Sequence, residues 1–177
     1  FGPRQLTENF VRIALYDEYI TTRTGLFARE TKSRLRRWED PVRFSLEVGE
    51  AVPEDQARRD RAAVGSYIAR LSRAARHPMR LTGTDANFHV LVLTEDERRE
   101  IGPRLRELVP GIGAGAVRTI ETMPVSTFCL VYAFSEAGAP TYAKAVAVIR
   151  AEHPDALRLS CLHEEIAQGL GLANDSP

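Results

Sequence analysis

The stretch Leu162-His163-Glu164-Glu165-Ile166-Ala167-Gln168-Gly169-Leu170-Gly171-Leu172-Ala173-Asn174-Asp175 concentrates more potential chemistry than any other part of the chain. It reads as the last helix, carrying two adjacent acids, a histidine and a glutamine, and stopped at glycine. His153-Pro154-Asp155 starts that helix, which is expected to reach about Leu170. Just upstream, Thr127 to Phe134 (TFCLVYAF) and Tyr142 to Arg150 (YAKAVAVIR) read as strands joined through a turn at Gly138 to Pro140. That short connection makes them an antiparallel pair. The first is nearly all apolar and is expected at the centre of the sheet.

Further upstream, Val42 to Val48 alternates apolar and polar residues as a half-buried strand does, with Trp38 anchoring its approach. Gly49 to Pro53 is a turn. Glu54 to Arg76 follows as a long helix with Ala57, Val64, Ile68 and Leu71 on its apolar stripe, ended by His77-Pro78. Met79 to Asp85 is a short extended piece, and Asn87 to Leu93 (NFHVLVL) is another strand. Thr94 caps a helix expected to run to about Val109, with Glu95, Asp96 and Glu97 at its positive end. At the start of the chain, Leu6 to Tyr19 reads as an amphipathic helix with Thr7 as N-cap, interrupted at Thr21 to Thr24. Glycines 111, 113 and 115 form a GxGxG pattern. It follows a helix rather than linking a strand to one, so a flexible connection is expected there and not a phosphate loop. The order of elements gives one α/β (α+β) domain with a mixed, mostly antiparallel sheet packed by helices.

Composition bounds the function. The chain of 177 residues is long enough to bury a real core, and its formal net charge of zero gives no electrostatic case for a nucleic-acid partner. Arg34, Arg36 and Arg37, and the run Arg58, Arg59 and Arg61, are interleaved with acids and read as solvated helix faces. No apolar run approaches the roughly 18 residues that span a bilayer. Phe1-Gly2-Pro3 lacks an initiating Met, so an upstream segment, such as a signal peptide or lipid-anchor sequence, is expected to have been removed. Cys129 and Cys161 are open, on the residues alone, to a single disulfide or to two buried thiols.

Metal proteases of the zincin type carry HExxH, in which two His at i and i+4 share a helical face and bind zinc. The Glu between them handles the proton of the metal-bound water. With His163-Glu164 in that register the second ligand position falls on Ala167, and the motif is broken. One residue further on, the longer metzincin pattern HExxHxxGxxH fits the spacing. Glu164 then stands at the first ligand position, Glu165 at the catalytic one, Gln168 at the second ligand, Gly171 at the turn and Asn174 at the third ligand, with Asp175 beside it. Every nitrogen ligand of that pattern is thus a carboxylate or an amide. Zinc prefers His and Cys, so this set suits a harder ion such as calcium weakly, or no metal. The plainer reading makes Glu164 and Glu165 solvated acids, paired with Arg158 or another arginine, Gln168 a surface residue and Gly171 an ordinary helix stop. Ser160, near Cys161 and His163, lacks a third group and an oxyanion hole, which leaves no nucleophile constellation.

The segments Cys161-Leu162, Glu164 to Leu172 and Asn174-Asp175, with LTENFVRIALYDEY at 6–19 and the strand from Trp38 to Val48, resemble an uncharacterised family of bacterial secreted proteins and lipoproteins. That family is domain of unknown function 2927, and the resemblance covers most of the chain. It implies an extracytoplasmic, periplasmic location, a zincin-like core and a Cys129–Cys161 disulfide. It also implies that residues 1–177 form one zincin-like domain continued beyond Pro177. The expected function is a non-catalytic component of the cell envelope that binds a protein or envelope partner. Two alternatives stand beside it: a hydrolase with Glu165 as general base and Glu164, Gln168, Asn174 and Asp175 placing metal or water, and an accessory lipoprotein held to a membrane through the removed segment. Zinc or calcium is expected only for the hydrolase.

Overall fold

The computed structural model describes residues 2–22, 25–32, 35–135, 139–172 and 174, of which 17–22 and 25–31 are described by backbone alone. Helix α1 spans Pro3–Leu15, shorter at its end than the expected Leu6 to Tyr19. Proline suits the first helical position, where its missing N–H has no partner to lose. The chain then becomes extended: β1 (Tyr16–Thr22) and β2 (Gly25–Lys32) form an antiparallel hairpin that was not expected. Tyr16, Tyr19, Ile20, Thr21 and Thr22 are aromatic or β-branched, and strand pairing overrides the helical repeat that Asp17 continued. The turn at 23–24 lies outside the described residues, as do Arg34 and residue 138 of the expected Gly138 to Pro140 turn.

The main sheet has five strands in the order β4-β3-β5-β7-β6. They are β3 (Val42–Val48), β4 (Met79–Leu81), β5 (Phe88–Leu93), β6 (Cys129–Ser135) and β7 (Tyr142–Arg150). The sheet is mixed as expected, but its balance is not mostly antiparallel. β4, β3, β5 and β7 run parallel, and β6 alone pairs antiparallel, with β7. The helical crossover between the adjacent strands β3 and β4 returns the chain in the same direction, whereas the short connection between β6 and β7 reverses it. Strand β6 is also an edge strand, not a central one. It reads as continuously apolar because both its faces are covered. Cys129, Val131 and Ala133 pack on one core, Leu130 and Tyr132 on the other.

Helices cover both faces. On one side α2 (Glu54–Ala75) and α6 (Asp155–Gly169) bury Val64, Ile68, Leu162 and Ile166 against Phe44, Phe88 and Val90. On the other, α4 (Gly102–Leu108) and α5 (Ala114–Glu121) bury Leu105, Val117 and Ile120 against Leu91, Val146 and Val148. The expected single helix from Thr94 to Val109 is divided into α3 (Glu95–Arg99) and α4. Pro103, at the second position of α4, cannot donate the hydrogen bond that would continue α3. α3 opens with a reciprocal cap in which Glu97 Oε2 accepts from Thr94 N at 2.9 Å and Thr94 Oγ1 from Glu97 N at 3.4 Å. The expected flexible GxGxG connection is likewise corrected: Gly113 caps α5, and the burial of Ala116, Val117 and Ile120 holds the segment helical. No described helix is long and apolar enough to cross a membrane.

Two ionic clusters fix the helix ends. Arg158 at the start of α6, 2% exposed, donates from Nε to both carboxylate oxygens of Asp60 on α2 at 2.9 Å. It also bonds His153 O and Asp155, so it is not the partner of Glu164 or Glu165. Arg150 at the end of β7 binds Glu95 and the carbonyls of Met123, Pro124 and Thr127, holding the loop that leads into β6. The i,i+4 pairs Arg58–Glu54 and Arg59–Asp55 confirm that this arginine run is a solvated helix face.

Candidate functional site at the α6 helix

Pro154 precedes α6 and Asp155 occupies its first turn, where an acid suits the positive helix end. The helix lies between α2 and β6, and its polar residues divide between those neighbours. On the β6 side, Cys161 is disulfide-bonded to Cys129. One oxygen each of Glu164 and Glu165 and the Cys129 sulfur all lie within 4.8 Å of one another. This is the one such group of potential metal ligands among the described residues. The oxidised sulfur has no thiolate to offer, so two carboxylates remain. Glu164 is exposed, whereas Glu165 is 4% exposed and sits in the wall of the core. Gln168 is half-buried, one turn beyond Glu164 and on the same helical face.

The histidine goes the other way. His163 stacks on Tyr67 of α2, with ring centroids 4.1 Å apart, and the Arg70 guanidinium lies 5.0 Å from the Tyr67 ring centroid. Burial and then the Arg70 charge hold the His163 pKa below its ordinary value. His163 therefore lies outside the carboxylate cluster.

Two glycines position this helix. A Cβ on Gly169 would lie 2.5 Å from Cζ of Phe88 and 3.1 Å from Cγ2 of Val131, so the absence of a side chain is what lets α6 settle onto β5 and β6. The Trp38 Nε1–H donates to the Gly169 carbonyl at 2.9 Å and locks the end of the helix from below. Gly171 has φ +124°, and a Cβ there would meet the Arg36 carbonyl at 2.9 Å. Gly171 N donates to Gln168 O at 3.0 Å and Leu172 N to Ala167 O at 3.4 Å, the paired bonds of a glycine helix stop. The chain leaves this turn towards α1, where Asn174 donates from its backbone to Ile13 O at 3.1 Å and from its side chain to Arg12 O at 3.5 Å. Glu164 and Glu165 are thus brought together, Gln168 shares their face of α6, Asn174 is tied to α1, and Asp175 lies outside the described residues.

The remaining histidines have partners that the sequence did not disclose. His77 Nε2 meets Asp40 O at 2.9 Å, and His153 Nε2 meets Phe128 O at 3.0 Å. His89, on the far face of the sheet, meets Ser45 Oγ through Nδ1 at 2.8 Å. Burial, then Lys144, lowers its pKa to about 4. Tyr67, Trp38 and the Arg36 carbonyl shape the α6 site from more than 90 residues away, and only the aromatic content of Trp38 and Tyr67 hinted at such a role.

A family model described as "Protein of unknown function (DUF2927)" matches residues 3–177. No curated protein and no solved structure matches the chain.

Proposed function

The chain belongs to the family of proteins of unknown function DUF2927, and on that premise we propose that it is an extracytoplasmic recognition domain on a zincin-like scaffold that has given up zinc chemistry. The observation that carries this reading is the division of α6. Its one histidine packs on Tyr67, while the positions matching the metal-facing side hold Glu164 and Glu165 beside a disulfide, with Gln168 one turn beyond Glu164. An all-oxygen set without imidazole is a poor zinc site. The helix stop at Gly171, seven residues after Glu164, supports the metzincin-type register, because there too a glycine turns the chain at that spacing. The disulfide supports an oxidising compartment.

Recognition falls to the edge of β6 beside α6. The outer edge of β6 pairs with no strand among the described residues, so its backbone donors and acceptors can take an extended peptide as an added strand. Glu164, exposed on α6 near Cys129 of β6, favours a basic side chain on that peptide. The partner is then a protein of the envelope. The hydrolase alternative rests on the same two adjacent carboxylates, with Glu165 as base. One experiment separates the two: the natively purified protein is incubated with a basic peptide library, with and without chelator, beside Glu165→Gln. The recognition reading expects binding that Glu164→Lys weakens, and no cleavage. Chelator-sensitive cleavage abolished in Glu165→Gln would replace it with the hydrolase.

A further inference from the structure

The opposite flank of α6 carries a separate feature. A cavity of about 380 Å³ opens between the ends of α2 and α6, in the size range of small-molecule sites. Leu71 and Ala75 line it from α2, Ala167 and Leu170 from α6, and Trp38 and Met79 complete the apolar lining. Arg37 and His77 contribute its polar groups. The two alanines leave the space: a leucine at either place would fill much of it.

The surroundings are predominantly basic although the whole chain is neutral. The segments bounding the cavity carry Arg36, Arg37, Arg70, Arg73 and Arg76 against only Glu39 and Asp40. Arg37 is engaged with Glu39, but Arg73 and Arg76 are exposed and make no ion pair among the described residues. An anion is therefore the favoured ligand charge. The walls discriminate further. At the end of α6 the Ala167 carbonyl accepts from Leu170 and Leu172, that of Gln168 from Gly171, and that of Gly169 from Trp38. A peptide lying along the α6 wall would find these three carbonyls already taken, at a desolvation cost to its N–H groups, whereas an acyl chain has none to satisfy.

We propose that this cavity binds a monomeric anionic amphiphile, one acyl chain lying between α2 and α6 and its carboxylate at the Arg37 end. The chain's single tryptophan, Trp38, lines the cavity, so its emission reports occupancy. The test titrates the intact protein with decanoate, with 1-decanol as the uncharged comparison and with phosphatidylglycerol-containing vesicles as the bilayer comparison. Expected is a saturable Trp38 response to decanoate, about tenfold weaker for 1-decanol, for Arg37→Glu and for Ala167→Leu. Ala75→Leu, at an exposed helix position, gives the same loss with the fold undisturbed, as checked by circular dichroism. No saturable response, equal affinity for 1-decanol, or a response kept in both leucine variants would overturn the proposal. So would vesicle binding by the wild type that both leucine variants retain, since that would assign the basic surface to a bilayer and leave the cavity idle. The site does not involve Glu164 or Glu165, so failure here leaves the recognition reading standing, and the converse also holds.

Discussion

Replacing Gly169 by alanine sets two effects of opposite sign against each other at the site itself. By helix propensity alone the change stabilises, by at most about 1 kcal/mol. Packing says otherwise: the new methyl would be 2.5 Å from Cζ and 2.6 Å from Cε2 of Phe88, a ring that is fully buried and braced by Phe44 at a centroid distance of 4.5 Å. Overpacking of this kind costs about 1–3 kcal/mol, so the net is a loss of about 1–2 kcal/mol. In a chain of this length that lowers Tm by about 4 °C. Gly65→Ala in α2 is the matched control, since its methyl meets only the end of the Leu81 side chain, at 3.3 Å. It is expected to be neutral or to stabilise by about 0.5 kcal/mol. Paired urea and thermal denaturation reads both, and Trp38 emission reads whether the Trp38–Gly169 hydrogen bond is displaced with the helix. Equal stabilisation by both substitutions would refute the claim that α6 is seated by close backbone approach.

Three further outcomes follow from the ionic and covalent anchors. Asp60→Ala leaves Arg158 buried without its main counter-charge and costs about 3–5 kcal/mol by urea denaturation, whereas Asp60→Leu with Arg158→Met restores most of the loss; a cost below about 1 kcal/mol for the single change would contradict the buried pair. His89, with a folded pKa of about 4 against an ordinary 6.5, binds its proton more readily when unfolded, so the stability it contributes is complete above pH 6.5 and lost as pH falls through 4. The imidazole resonances of His89 should therefore titrate near pH 4, and titration near 6.5 would count against its burial beside Ser45. Removing the disulfide as Cys129→Ala with Cys161→Ala opens a crosslink spanning 32 residues and is expected to cost about 3–4 kcal/mol on the chain-entropy account; unchanged urea midpoints would show that packing alone joins β6 to α6.

The central strands and the last helix could be read in the sequence because their signals are local. Val42 to Val48 alternates, Asn87 to Leu93 and Tyr142 to Arg150 are apolar runs, and α6 is bounded by Pro154 and Gly171. The hairpin of β1 and β2 was hidden because a helical spacing from Phe10 to Asp17 crosses the true end of α1 at Leu15. α5 was hidden by its glycines, which argue for loop until burial of Val117 and Ile120 is known. The position of β6 at the sheet edge follows from topology, which no local pattern carries. Within the site, helical spacing alone puts Glu164 and Gln168 on one face of α6. The close neighbours that define the geometry, Cys129, Phe88, Trp38 and Tyr67, arrive from distant elements and could not be placed in advance.

We propose that α6 keeps the spacing of a metzincin-type helix without binding zinc. Zinc titration by isothermal calorimetry, with elemental analysis of natively purified protein, tests it most directly. The account predicts no stoichiometric zinc after dialysis and no saturable zinc binding that depends on Glu164 or Glu165. One tightly held equivalent, lost in Glu164→Ala, would contradict it.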